Sequence, residues 1–145
     1  MKSNYKFSDI QLSSTFVHNF IVTDDLIDNF VLLSGDNSEV HISKSYALDK
    51  GFNDRIMHGV INLCFVSKVI GTQIPGDSAL LLEISAKFRN PVYPGNSLEL
   101  NSIVSQKYES LSCISLKSKI FNKTLDNMSC SVKSLVKVCH WKIMS

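Results

Sequence analysis

The stretch LSGDNSEVHISKSYALDKGFNDRIMHGVINLCFVSKVIG, residues 33–71, decides the fold because it ends in a long apolar segment. Residues 60–70 are apolar nearly all round a helix, and glycines stand at both ends, Gly59 and Gly71. A helix that is apolar on all sides must be surrounded by other elements. The segment therefore predicts a buried helix from Gly59 to about Val69.

Two shorter helices and a strand are predicted on the N-terminal side of this helix. Residues 16–22 alternate apolar and polar side chains closely enough to indicate a strand. Thr23 is placed to cap a helix that Gly35 ends, and Ser43 is placed to cap a short helix at residues 44–50, which Gly51 ends. The loop between these two helices contains Asp36.

Four strands are predicted after the turn at Pro75-Gly76, because apolar and polar residues alternate there. They are Ala79–Phe88, Ser97–Tyr108, Ser112–Asn122 and Met128–Val138. Helices followed by a run of strands favour an α+β fold, with a curved antiparallel sheet wrapped around the buried helix. Residues 1–145 are predicted to form one domain, of which residues 1–14 are a loosely structured arm.

Composition excludes several classes of function. The 15 basic and 13 acidic residues give a net charge of +2, which is too small for a broad nucleic-acid footprint. No segment reaches the length of a membrane span, and the polar N-terminus has no secretory signal. We therefore expect a cytoplasmic protein with neither a nucleic-acid nor a membrane partner.

The four cysteines show neither a CxxC pair nor the spacing of metal ligands. They are Cys64, Cys113, Cys130 and Cys139. Reduced, buried thiols are the preferred interpretation for a cytosolic chain. A bridge between Cys113 and Cys130, on strands that could be neighbours, is left open.

Asp36 and His41, five residues apart, are the first candidates for chemistry. A carboxylate just beyond a helix C-terminus lies near partial negative charge, so partial burial would raise its pKa towards the range of a base. A nearby imidazole would share the binding and deprotonation of a water molecule. The alternative is that both are solvated loop residues.

Gly59 supplies the complementary feature. The first amides of a helix have no partner within the helix, and a glycine lets a ligand approach the backbone closely. A carbonyl oxygen bound there would be polarised, and the enolate formed by attack at its β-carbon would be stabilised. A packing glycine is the alternative, and for the neighbouring His58 a capping or packing role is favoured.

Three segments together resemble the MaoC-like dehydratases, a family of hot-dog fold that includes the (R)-specific enoyl-CoA hydratases. The segments are SGDNSEVH at 34–41, IMHGV at 56–60 and FRNPVYPG at 88–95. The family motif reads Ser-Gly-Asp-x-Asn-Pro-x-His, followed by a His-Gly helix start and a Pro-Val-x-x-Gly-Asp strand start, in which Asn96 replaces the aspartate. The resemblance covers roughly residues 15–140 and implies a hot-dog fold.

The resemblance also implies roles for individual residues. Asp36 and His41 match the aspartate and histidine that activate water, and Gly59 matches the glycine whose amide binds the thioester oxygen. Ser67 matches a serine that hydrogen-bonds within the catalytic site of some members. A hydroxyl bonded to its own helix is the alternative for Ser67.

Four further residues are candidates for substrate binding. Ser38 stands where the motif has asparagine, and Glu39 replaces the proline, so Ser38 is expected to act as a short hydrogen-bonding substitute. Lys87 and Arg89 flank Phe88 on one predicted strand and are candidates for phosphate contacts. A solvated sheet face is the alternative for these two. His58 completes this set.

The implied reaction is the reversible hydration of a trans-2-enoyl thioester to an (R)-3-hydroxyacyl thioester, without a metal or redox cofactor. The carrier is coenzyme A or an acyl carrier protein, and the resemblance implies a homodimer. The alternatives are a hot-dog thioesterase, an acyl-thioester binding protein or partner subunit without turnover, and a hydratase of a dedicated pathway.

Overall fold

The structure is a computed structural model that describes residues 2–139. Four α-helices and five strands follow one another in the order β1 (Thr15–Ile21), α1 (Asp24–Ser34), α2 (Glu39–Ile42), α3 (Lys44–Asp49), α4 (Ile61–Thr72), β2 (Ala79–Phe88), β3 (Ser97–Tyr108), β4 (Cys113–Asn122) and β5 (Asn127–Val138). All five predicted strands are present, each within one residue of the predicted bounds. The short helix α2 lies in the segment predicted to be a loop.

The strands form one antiparallel sheet in the order β1-β3-β4-β5-β2. Alternate residues of the central strands are buried on one face, where α4 packs and contacts β1, β2 and β5. The core is apolar on both sides of this contact, with Leu100, Leu116 and Ile120 from the sheet and Val66 and Val69 from α4. The predicted α+β fold is confirmed.

The predicted burial of α4 is correct for only part of its surface. Val66 and Val69 are fully buried, whereas Cys64, Ser67 and Lys68 are exposed in the single chain. The reason is that the sheet covers one side of the helix and α1 only part of another. The helix also begins at Ile61, two residues later than predicted.

The N-terminal segment is not the loosely structured arm that was expected. Phe7 and Ile10 are 7% and 3% exposed and belong to the core. The amide of Tyr5 donates to the carbonyl of Pro75 at 2.9 Å, and Asn4 forms a β-bridge with Gly76. The segment is attached by the burial of these two apolar residues together with backbone hydrogen bonds to residues 72–77 and to Val104.

The cysteines are unbridged, but the expected burial is wrong for Cys64, which is exposed, and incomplete for Cys139. Cys113 and Cys130 are buried, and burial raises the pKa of the Cys130 thiol to about 11. None of the helices in residues 2–139 combines the length and the apolar character needed to cross a bilayer.

Two sets of contacts fix the segment between α3 and α4. The Arg55 guanidinium lies 2.7 Å from an Asp24 carboxylate oxygen and 2.6 Å from one of Asp28, both on α1. The amide of Met57 donates to the carbonyl of Val92 at 2.8 Å. These contacts join the segment to α1 on one side and to the β2–β3 connection on the other, so they define where α4 begins.

Truncation of Ile70 tests the packing of α4. Ile70 is 3% exposed, so Ile70→Ala leaves a cavity and is expected to lower the free energy of unfolding by about 2–5 kcal/mol. The matched control is Ile21→Ala, since Ile21 is 63% exposed and should cost under about 1 kcal/mol. Urea denaturation measures both, and equal losses would contradict the assigned core.

Candidate active site

The end of α1 determines the position of Asp36. Gly35 adopts a left-handed conformation with φ of 73°, and its amide donates to the carbonyl of Val31 at 2.8 Å. This left-handed residue ends the helix and turns the chain, as predicted. The Asp36 carboxylate then accepts hydrogen bonds from the amide of Ser38 at 3.2 Å and from its hydroxyl at 2.7 Å.

The expected rise in the pKa of Asp36 is wrong. The hydrogen bonds from Ser38 stabilise the charged carboxylate and hold its pKa below the usual range, and the nearby imidazoles act in the same direction. The side chain is 48% exposed, so desolvation opposes this effect only weakly. Asp36 is therefore ionised at neutral pH, where it acts as a fixed negative charge and hydrogen-bond acceptor.

His41 lies on α2 with one ring nitrogen fixed by the backbone. Its Nδ1 lies 2.7 Å from the carbonyl oxygen of Ile56. Because a carbonyl can only accept a hydrogen bond, Nδ1 carries the proton and the neutral ring keeps a lone pair on Nε2. His41 thus presents a proton acceptor whose orientation is set by the segment before α4.

His58 lies beneath the other two residues and connects them. Its Nε2–H donates to the backbone carbonyl of Asp36 at 2.9 Å, and its ring stacks on that of His41 with centroids 3.7 Å apart. The ring of Phe30 packs on it at 4.8 Å. His58 is 2% exposed, which agrees with the packing role favoured from the sequence and leaves no exposed surface for substrate contact.

Gly59 and His41 open onto one pocket of about 380 Å³. The amide of Gly59 donates to no acceptor among residues 2–139, and a Cβ on this glycine would lie 3.2 Å from the ring of Phe88. A side chain at this position would therefore press against the Phe88 ring in the pocket wall. The other lining residues are Ile56, Met57, Asn62, Phe88, Arg89, Asn90, Pro91, Val92 and Ser129.

Asn62 is a pocket residue that the sequence reasoning missed. Its Nδ2 donates to the carbonyl of Gly59 at 2.9 Å, and its Oδ1 is buried without a hydrogen-bond partner in the described chain. This bond holds the peptide that follows Gly59. The available signal was a polar residue in the first turn of an otherwise apolar helix.

The structure brings some candidates together and separates others. Asp36, Ser38, His41, His58 and Gly59 lie in one cluster or line its pocket. Arg89 also lines this pocket, whereas Lys87 lines a separate groove. Ser67 is exposed on α4 and does not line the pocket of the single chain.

The side chains of Asp36, His41 and His58 also lie close enough together to hold a cation. One donor atom each from Asp36, His41 and His58 lies within 4.8 Å of the others. One ring nitrogen of each histidine is already used as a hydrogen-bond donor to a backbone carbonyl. These bonds leave the lone pair of His41 Nε2 available, and this lone pair can accept a proton.

Comparison with known proteins places this geometry in a family. A family model described as "MaoC like domain" matches residues 7–127, and the chain belongs to this family. It is 28% identical over 100 residues to a 3-hydroxybutyryl-CoA dehydratase of Methylorubrum extorquens, covering 69% of this chain. It is 33% identical over 92 residues to an (R)-specific enoyl-CoA hydratase of Rhodospirillum rubrum, covering 63% of this chain.

The chain spans 64% of the length of each of these two curated relatives. Among solved structures, the unliganded R-hydratase PhaJ1 from Pseudomonas aeruginosa superposes with a TM-score of 0.88 at 21% identity, covering 95% of this chain and 88% of that one. This similarity confirms the hot-dog fold that the resemblance implied.

Replacement of Ser38 tests the electrostatics of Asp36. Ser38→Ala removes the 2.7 Å hydrogen bond to the carboxylate, so the pKa of Asp36 should rise towards its ordinary value. Carboxyl carbon shifts followed by NMR against pH measure the change. Ser45→Ala is the control. Among the described residues the Ser45 hydroxyl bonds only to that of Ser43, so its loss should leave the pKa of Asp36 unchanged.

Proposed function

We infer that the protein catalyses the reversible hydration of trans-2-enoyl thioesters to (R)-3-hydroxyacyl thioesters carried by coenzyme A or an acyl carrier protein. The observation that carries this proposal is the grouping of an ionised Asp36, a His41 with a free Nε2, and the unpaired Gly59 amide. The names of the relatives support the reaction and its stereochemistry. The cytoplasmic location expected from the sequence belongs to this proposal.

In the proposed reaction a water molecule binds between the Asp36 carboxylate and His41 Nε2. The water oxygen bonds to C3 of the enoyl group while one of its protons passes to Nε2. Asp36 stays ionised because its pKa is low, so it orients the water and stabilises the imidazolium that forms. The proton then passes to C2, and the neutral His41 is restored.

The thioester oxygen is proposed to accept a hydrogen bond from the Gly59 amide. Negative charge develops on this oxygen when water attacks C3, so the amide stabilises the transition state more than the bound substrate. The bond from Asn62 to the Gly59 carbonyl helps to fix the local backbone. No metal or redox group is part of this proposal.

Residues 38 and 39 depart from the family motif, but their contacts are compatible with an active enzyme. Ser38 donates two hydrogen bonds to Asp36, which is the orienting role expected of the motif's asparagine. Glu39 begins α2 with its side chain exposed. Neither residue lines the pocket onto which His41 opens, so no observation on them favours a binding protein without turnover.

Loss of either catalytic group tests the reaction. Asp36→Asn removes the fixed charge and His41→Ala removes the proton acceptor, so each should lower kcat/KM for crotonyl-CoA by about 10²–10⁴-fold. The fall in enoyl absorbance measures hydration.

Matched controls are Asp49→Asn, at an exposed residue of α3, and His18→Ala, on β1. Both should keep parental rates, since neither lines the pocket. Normal turnover by Asp36→Asn and His41→Ala would refute the assigned roles, and release of free thiol by the parent would favour a thioesterase.

A homodimer formed through β2 is part of the proposal. Strand β2 is an edge of the sheet, so its outer backbone groups have no partner strand within the described chain. Leu80, Leu81 and Leu82 on this strand are 44%, 36% and 51% exposed. A long apolar edge strand favours pairing with another chain.

Leu82→Lys tests this dimer. Leu82 has no partner in the β2–β5 register, so the lysine should leave the fold intact while it places a charge at the proposed interface. Light scattering after size exclusion should give twice the 16.2 kDa chain mass for the parent and a lower mass for the variant. Leu12→Lys is the control, because Leu12 is 57% exposed and lies outside β2. A parent protein that elutes with the mass of one chain would refute the dimer.

A further inference from the structure

Five basic side chains line a groove of about 320 Å³ on the outer face of the sheet, opposite α4. We call this set the basic groove; it consists of Lys87, Arg89, Lys117, Lys119 and Lys133. Ser85, Ala86, Ser118, Ser131 and Val132 complete the lining. Among residues 2–139, no acidic side chain lines this groove.

The strand register brings these charges together. Lys117 on β4 lies directly opposite Lys133 on β5, and Lys119 and Lys87 both lie opposite Ser131, from the two sides of β5. Neighbouring strands are about 4.8 Å apart, so the groove spans about 10 Å across three strands. The sequence does not reveal this cluster, because its members come from three separate strands.

The five cations of the basic groove are not directly paired with a carboxylate of the described chain. On β3, Glu99 pairs instead with Lys123 at 2.7 Å. Because like charges directly opposite on a sheet are destabilising, this arrangement costs stability unless an anion binds.

Arg89 connects the basic groove to the candidate active site, because it lines both. A ligand whose reactive end lies at Gly59 can therefore leave the pocket past Arg89 and reach the lysines of the outer face. We propose that the basic groove binds the diphosphate and 3′-phosphate of a coenzyme A thioester. This inference rests on the proposed function and assigns the carrier.

Charge and size both favour coenzyme A as the occupant. Its phosphates place several negative charges on a compact group, which matches five cations across three strands. A groove of about 320 Å³ has the volume of a small-molecule site. Edge pairing of β2 in the proposed dimer would leave this face of the sheet open.

Comparison of two substrates tests the inference. Crotonyl-CoA carries the phosphates, whereas crotonyl-pantetheine carries the same reactive group without them. The variant Lys117→Gln/Lys119→Gln/Lys133→Gln should lower kcat/KM for crotonyl-CoA about tenfold, mainly through KM. The ratio of the two kcat/KM values should fall by the same factor.

The control variant Lys2→Gln/Lys6→Gln/Lys50→Gln removes the same charge from exposed residues outside the basic groove and should keep the parental ratio. An unchanged ratio in the groove variant, or equal losses on both substrates, would overturn the inference. Relief of the repulsion between Lys117 and Lys133 should leave the groove variant at least as stable as the parent.

Two measurements keep the inference separate from the proposed reaction. Added salt should raise KM of the parent for crotonyl-CoA but not for crotonyl-pantetheine, because it screens only the phosphate contacts. If the parent hydrates neither substrate, the proposed reaction fails. Titration calorimetry with coenzyme A then tests the basic groove independently of turnover. Binding of coenzyme A about tenfold weaker in the groove variant than in the parent supports the inference, and equal binding overturns it.

Discussion

Packing of α4 against one face of the sheet is the interaction on which the site depends. Val66 and Val69 are fully buried in this contact, and the helix cannot slide without exposing them. Its position fixes the turn at residues 58–60, which carries both the Gly59 amide and the His58 ring. An apolar contact in the core thus determines where the polar groups of the pocket lie.

His58 transmits this position to the two proposed catalytic residues. Its ring supports His41 from below, and its hydrogen bond holds the backbone of Asp36. Asp36 lies in the loop after α1, and His41 lies on α2. A helix of only four residues is not stable by itself, so α2 depends on contacts with the rest of the chain. A buried histidine on the neighbouring turn therefore joins segments that local structure alone would leave unfixed.

The elements of the fold could be predicted from the sequence because each has a local cause. Thr23 caps α1 and Gly35 ends it, as their side chains and position predict, and alternation of apolar residues locates all five strands. The attachment of Phe7 and Ile10 could not be predicted, because it depends on a core surface formed by distant strands. The exposed side of α4 depends in the same way on how much of the helix the sheet covers.

The residues of the candidate site could be predicted from the sequence, but the direction of the pKa shift of Asp36 could not. The motif brings Asp36, His41 and Gly59 to one place, while the pKa of Asp36 depends on the geometry of Ser38, which sequence spacing does not give. The sign of this shift matters for stability as well as chemistry. A carboxyl group whose pKa is lowered by folding stabilises the folded state above its unfolded pKa, and this contribution disappears as the pH falls through the folded value. At neutral pH the ionised Asp36 carboxylate therefore stabilises the folded loop. The same negative charge stabilises His41 when this imidazole is protonated during the proposed reaction.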